Sequence, residues 1–315
     1  MQDAYIYDGL RTPFGRHGGS LAAIRPDELL GLTLKALVAR NPFAPESYEE
    51  VLAGCTNQAG EDSRNVARHG ALLAGLPIEV AGQTVNRLCG SGLAAMMDAA
   101  RAARLGGELF LAGGVESMSR APYVLGKADS PYARNQPMFD TVIGSRFPNP
   151  WIAKEYGSHS MPETADNIAH DLNIGREASD AFAARSQARY AKALANGFYE
   201  GEMFGVDVPQ GRKQPPLLVD KDEHPRAEST EEKLAKLGAL FEGGVVTAGN
   251  ASGLNDGAAA LIVGTRAAGE RAGLAPRARI VASAVAGVAP RVMGLGPVPA
   301  SQKALARAGL SLEQM

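Results

Sequence analysis

Apolar and polar residues follow two rhythms over the first 120 positions. Short β-leaning runs at 4–8, 50–54, 80–86 and 109–114 predict strands. Between them, helical spacing predicts helices over 26–40 and 63–74. A third helix is expected from Gly92, where Leu93, Ala94, Met96, Met97 and Ala100 share a face, to the break at Gly106-Gly107. Asp27 and Glu28 suit the positive end of the helix that follows Pro26. Strand, turn, helix and strand over 80–114 form the βαβ unit of a parallel sheet. From 121 to about 246 the rhythm breaks. Prolines crowd at 122, 131, 137, 148, 150 and 162, one helical block covers 178–196, and charges cluster over 220–236. Long excursions in compact folds are commonly functional, so this one is expected to lie over a site. Residues 245–264 return to sheet texture, with a buried strand at 258–263.

The last stretch echoes the first. A strand at 278–287 repeats the one at 4–9, a helix at 299–308 repeats the one at 26–39, and Ser311-Leu312-Glu313-Gln314 repeats Glu46-Ser47-Tyr48-Glu49. The first copy runs on into Val51-Leu52-Ala53-Gly54, whereas the second stops before its own next strand. The pattern predicts an internal repeat whose second copy is incomplete.

Composition narrows the class. The 315 residues, 45% hydrophobic, suffice for a large core or for more than one domain. A net charge of −2 gives no footprint for nucleic acid, and no apolar run approaches a membrane span. Two cysteines and five scattered histidines show no metal-ligand spacing, so no metal is expected. The strand-like Tyr5-Ile6-Tyr7 leaves no room for a signal peptide, and the expectation is a cytoplasmic protein with reduced thiols.

The candidate chemistry sits at Cys89, where a strand is expected to end and a helix to begin. A cysteine in the first turn of a helix lies among unpaired N–H groups at the positive end of the macrodipole, which favours thiolate over thiol. Gly90 and Gly92 leave the sulfur open to a bulky electrophile. The bland alternative for any free cysteine is a small buried hydrophobe, and that is the reading given to Cys55. A nucleotide-binding oxidoreductase is disfavoured, because no Gly-x-Gly-x-x-Gly run opens a helix with an acidic residue about 20 positions on.

Five ordered runs carry a family likeness that covers the whole chain. They are Arg11-Thr12-Pro13-Phe14-Gly15, Asn86-Arg87-Leu88-Cys89-Gly90-Ser91-Gly92, Gly113-Gly114-Val115-Glu116-Ser117-Met118-Ser119, the stretch from Thr247 through Asn250, Ser252, Asn255 and Asp256 to Ala258, and Met293-Gly294-Leu295-Gly296-Pro297. The sequence resembles the thiolases, of the acetyl-CoA acetyltransferase and 3-ketoacyl-CoA thiolase type. Within them, Ser160-Met161-Pro162-Glu163-Thr164-Ala165-Asp166-Asn167 and Met138-Phe139-Asp140-Thr141-Val142-Ile143-Gly144 look most like β-ketoadipyl-CoA thiolases.

The resemblance implies an α/β fold of two similar five-layer αβαβα halves with an inserted loop domain. Mapped here, the first half is 1–120 plus 247–271, the loop domain with its CoA and oligomer contacts is 121–246, and the second half, incomplete, is 272–315. Homodimers or homotetramers are implied. Coenzyme A would be a substrate, and no cofactor would be bound permanently. Cys89 would attack the ketone of a 3-ketoacyl-CoA, form an acyl-enzyme and pass the acyl group to a second CoA in ping-pong fashion. The expected reaction converts 3-oxoadipyl-CoA to succinyl-CoA and acetyl-CoA.

By the same resemblance Ser252 and Ala248 approach the pantetheine, Met161, Phe241 and Met293 line its tunnel, and Arg226 faces the adenine nucleotide. Read without it, Arg226 is solvated surface and Met161 and Phe241 are ordinary core. Ser160 stands where many thiolases carry histidine. Asn250, Asn255 and Asp256 are expected to order turns. Thiolases take their base from a Gly-His-Pro run, their acid from a Cys-x-Gly-Gly-Gly run and enolate contacts from an Asn-Glu-Ala-Phe run, and none of these occurs in the 315 residues. The resulting expectation is a C-terminally incomplete thiolase with bare apolar surface where the remainder docks. The alternatives are a general acetoacetyl-CoA acetyltransferase and a catalytically inactive CoA-binding fragment.

Overall fold

A computed structural model describes residues 2–211 and 213–315. In the first part of the chain, β1 (Ala4–Arg11), β2 (Gly15–Arg16), α1 (Pro26–Ala39), β3 (Glu50–Gly54), α2 (Val66–Leu73), β4 (Ala81–Val85), α3 (Ser91–Arg104) and β5 (Leu109–Ser117) follow in order. The middle holds β6 (Tyr123–Leu125), β7 (Met138–Asp140), α4 (Pro150–Tyr156), α5 (Met161–Asp171), α6 (Arg176–Ala195), β8 (Val206–Val208), β9 (Leu217–Val219) and α7 (Glu231–Leu234). After it come β10 (Asn255–Gly264), α8 (Arg266–Arg271), β11 (Ala278–Ile280) and α9 (Pro297–Ala308).

Seven strands form one mixed sheet in the order β11-β1-β10-β5-β3-β4, with β2 beside β10. The pairs β3–β4 and β3–β5 are parallel, and β10 runs antiparallel to both β1 and β5. None of the seven comes from 121–246, whose strands pair only with one another.

Strand periodicity divides the core between two faces. From β5, Leu109, Leu111 and Val115 join the larger cluster with Leu29, Leu30, Leu34 and Leu37 of α1. Phe110 and Ala112 point the other way, into a smaller cluster with Ala95, Ala99, Ala100 and Ala103 of α3. One face thus carries α1 and α2 over a thick apolar layer. The other carries α3, whose small side chains let it lie close to the strands.

The predicted helices and strands of the first 120 residues are present with shifted ends. Helix α2 starts three residues later than expected because Asn65 caps it, its Oδ1 accepting from the Arg68 amide at 3.2 Å. The strand expected over 278–287 is corrected: only Ala278–Ile280 is extended and paired, because β1 offers partners to those three residues alone. The helix expected at 299–308 is α9, and it buries no side chain. No helix is long and apolar enough to cross a membrane among the described residues.

Candidate active site

Parallel strands β3, β4 and β5 end together, and the segments leaving them meet. Glu116, near the end of β5, accepts the amides of Thr56 and Asn57 just past β3, at 2.8 and 3.1 Å. Asn86, leaving β4, donates from Nδ2 to the Thr56 carbonyl at 3.2 Å. Three residues later comes Cys89, exposed and unpaired with any other thiol. Binding at the carboxyl ends of parallel strands is the general rule for α/β sheets.

The backbone around Cys89 is bent into place. Leu88 has φ of 48°, a left-handed conformation uncommon for a branched side chain and typical of strain at functional sites. Asn86 Oδ1 accepts from the Leu88 amide at 3.0 Å, and Ser91 Oγ accepts from the Arg87 amide at 2.7 Å while donating to the Leu88 carbonyl. Gly54 makes the approach of α3 possible: a Cβ there would lie 2.3 Å from the Ser91 carbonyl carbon and 2.4 Å from the Gly92 nitrogen.

The expected position of Cys89 in the first helical turn is corrected. Gly90 is the N-cap and Ser91 the first helical residue, so the thiol precedes the helix. The Gly90 and Ser91 amides are spent on the carbonyls of Arg87 and Leu88, whereas those of Gly92 and Leu93 have no acceptor among the described residues. Two free donors thus stand beside an accessible sulfur, the arrangement that can hold a developing oxyanion. Cys89 opens into a groove of about 1150 Å³ on the face that bears α3, lined also by Thr56, Leu88, Leu93, Met96 and Glu116.

None of Met161, Arg226, Phe241, Ala248, Ser252 and Met293 lines that groove, and all six are exposed. Met161 and Phe241, 60% and 43% exposed, are therefore not core. Helix α5 gathers four of the six. Met161 is its first residue. Asp166 Oδ1 accepts from the amides of Val245 and Val246 at 2.8 and 3.1 Å, fixing the irregular stretch between Phe241 and Ala248. Asn167 Nδ2 donates to the Arg291 carbonyl at 3.0 Å, and Arg291 pairs with Asp171, which seats the turn that carries Met293. Sequence reasoning missed Asp166 and Asn167 because long-range side-chain-to-backbone bonds leave no periodic signal.

Asn250 behaves as expected of a turn residue, its Oδ1 accepting from the Thr247 amide at 2.7 Å and its Nδ2 reaching Asp180 of α6 at 3.0 Å. Asn255 is corrected, since it lies in β10; Asp256 is in β10 too, but its buried carboxylate does order a turn as expected, accepting from the Ser119 amide and hydroxyl just past the end of β5. The ring of His224, two residues before Arg226, packs where a Cβ on Gly253, the neighbour of Ser252, would be. The Arg226 amide donates to Gln187 of α6 at 2.7 Å. Gly253 and Asn255 line the groove of Cys89, so the stretch from Ala248 onward leads from this wall to the nucleophile.

Arg11, at the end of β1, pins the excursion to the sheet through ion pairs to Asp222 and Glu202 at 2.8 and 2.7 Å. Burial pushes the Asp222 carboxyl up, but hydrogen bonds from Arg11, the Phe14 amide and Tyr190 outweigh it and hold the group below the usual carboxylate range. Cys55 is buried, and burial, then the charges of Glu116 and Asp62, push its thiol up to about 12. That environment suits an inert thiol, the opposite of Cys89 in access.

Comparison with known proteins agrees with this geometry. The profile described as "Thiolase, N-terminal domain" matches residues 4–267. The chain is 55% identical to the 3-oxoadipyl-CoA/3-oxo-5,6-dehydrosuberyl-CoA thiolase of Escherichia coli K12, covering all of this chain and 79% of that protein. It is 52% identical to a β-ketoadipyl-CoA thiolase of Acinetobacter baylyi with the same coverage. Among solved structures, the acetyl-CoA acetyltransferase of Bacillus anthracis superposes with a TM-score of 0.91 at 38% identity, over 99% of this chain and 78% of that one. With an α/β sheet of this topology, an open cysteine at the carboxyl ends of its parallel strands, and relatives that match along the whole of this chain, the chain belongs to the thiolase family of acyltransferases.

Proposed function

We propose that this protein cleaves 3-oxoadipyl-CoA with a second CoA, giving succinyl-CoA and acetyl-CoA. The Cys89 thiolate attacks the C3 ketone carbon, and the resulting oxyanion faces the free amides of Gly92 and Leu93. The C2–C3 bond then breaks, and its electron pair passes into the thioester as an acetyl-CoA enolate, which takes up a proton. The succinyl group stays on Cys89 as a thioester until the thiol of a second CoA displaces it. The chemistry rests on one observation, an accessible Cys89 held by a left-handed Leu88 beside two unspent helix amides.

The choice of a dicarboxylic substrate is supported by the names of the relatives at 52–55% identity. Met161, Phe241, Ala248, Ser252, Met293 and Arg226 are proposed as the CoA wall, supported by their exposure and by the frame that α5 and α6 give them. The division into 1–120 plus 247–271, 121–246 and 272–315 is proposed as well, supported by the absence of the middle stretch from the main sheet. A homodimer or homotetramer in the cytoplasm completes the reading, and the exposed Tyr123, Leu125, Met138 and Ile143 support association.

Thiolysis of 3-oxoadipyl-CoA and acetoacetyl-CoA by the intact natural protein tests the reading. A clear preference for the dicarboxylic substrate in kcat/KM is expected. A strong preference for acetoacetyl-CoA would replace it with a general acetyltransferase.

A further inference from the structure

Resting on Cys89 as the nucleophile of the reaction above, we propose that Asn86 is its positioning residue. The Asn86 side chain holds Leu88 left-handed and so sets the sulfur against the free amides of α3.

Leu88 needs such a holder. Its φ of 48° is disfavoured for any L-residue with a Cβ, and its side chain is 68% exposed, so packing does not enforce it. The Gly90 amide closes a turn on the Arg87 carbonyl at 3.1 Å, which puts Leu88 second of four. That closing bond is common to turns of either hand, and a positive φ at the second place normally belongs to glycine. The sign of φ is therefore chosen by something other than the closing bond. Asn86 Oδ1 supplies it, accepting from the Leu88 amide at 3.0 Å. On the other side, the Ser91 amide and hydroxyl both donate to the Leu88 carbonyl. Asn86 thus grips the peptide before Leu88 and Ser91 the peptide after it, and the backbone torsions of Leu88 are the rotations between them.

Asn86 is itself anchored. Its Nδ2 donates to the Thr56 carbonyl at 3.2 Å. Thr56 is in turn held by Glu116, whose Oε2 accepts from the Thr56 amide at 2.8 Å and hydroxyl at 2.7 Å, while Oε1 accepts from the Asn57 amide at 3.1 Å. Glu116 joins no ion pair among the described residues, so its charge is spent on this loop. The ends of β3 and β5 are thereby carried to Leu88 through the two ends of the Asn86 amide. The Gly92 and Leu93 amides are set by α3, which Gly54 admits close to β3. The sulfur is set by the turn. Asn86 registers the turn against that frame, and a misplacement of about 1 Å there costs on the order of a hundredfold in rate.

Thiolysis of the better substrate among 3-oxoadipyl-CoA and acetoacetyl-CoA provides the test. It is run on the intact natural protein and on its Asn86→Ala, Leu88→Gly and doubly substituted variants. Asn86→Ala is expected to lower kcat about 10- to 100-fold with KM within about threefold. In the Leu88→Gly background, where a left-handed backbone carries no steric cost, the same substitution is expected to lower kcat by no more than about threefold. A merely structural role of Asn86 acts alike in both backgrounds. Equal losses therefore overturn the proposal while leaving Cys89 as the nucleophile, and that includes a loosened fold. An Asn86→Ala variant with the natural kcat, or one that raises KM alone, overturns it too. A natural protein that turns over neither substrate, or a Cys89→Ser variant that keeps its rate, overturns both.

Discussion

The two faces of the central sheet are built from the same strands yet serve different ends. Under α1 and α2, the face bearing Tyr7, Leu111 and Ile262 is closed by leucine-rich helices, and its side chains are almost wholly buried. On the opposite face, α3 contributes alanines, Leu93 is exposed, and a groove runs to Cys89. The difference teaches that stability and reactivity have been placed a strand's thickness apart. A residue and its immediate neighbour in β5, such as Leu111 and Ala112, answer to different demands.

Three substitutions probe that separation. Cys89→Ser has the largest expected effect, a loss of thiolysis of about a thousandfold or more with the melting temperature unchanged. Kinetics and thermal unfolding on one preparation check it, and a large drop in melting temperature would mean that the open face also holds the fold. Leu34→Ala, on the closed face, is expected to cost about 2–5 kcal/mol in a urea titration while leaving the rate of Cys89 alkylation by iodoacetamide unaltered below the transition. A changed alkylation rate would show that the two faces are coupled. Gly54→Ala sits at the junction, and its added carbon is expected to cost about 1–3 kcal/mol. Because that carbon meets the Ser91 and Gly92 backbone, the variant should lose activity as well as stability, unlike either of the others.

Much of the closed face was legible in the sequence. The short apolar runs of β5 and β10 and the helical spacing of α1 are local signals, and each is written in contiguous residues. Cys89 was legible for the same reason, through the glycines beside it. What was not legible depends on partners. The run after Ile280 has strand-forming residues but no strand to pair with among the described residues, and so it is not a strand. The helix start moved past Cys89 because Gly90 took the cap, a choice made by Ser91 and Leu88 together. Asp166 is an ordinary charged residue in the sequence, and only the folded chain shows that it clasps the Phe241–Ala248 stretch.

Strand β10 lies between β1 and β5, pairing Tyr5 with Gly264 and Leu111 with Ile262. On a ribosome that adds about 5–20 residues per second, β1 and β5 are therefore made long before the strand that joins them. For a period on the order of ten seconds or more, β1 has no central partner while its own helix α1 is already complete. The sheet cannot assemble in the order of its synthesis, and its closure waits on a single late strand. Folding of this chain is accordingly expected to be slow, governed by contacts that span most of its length.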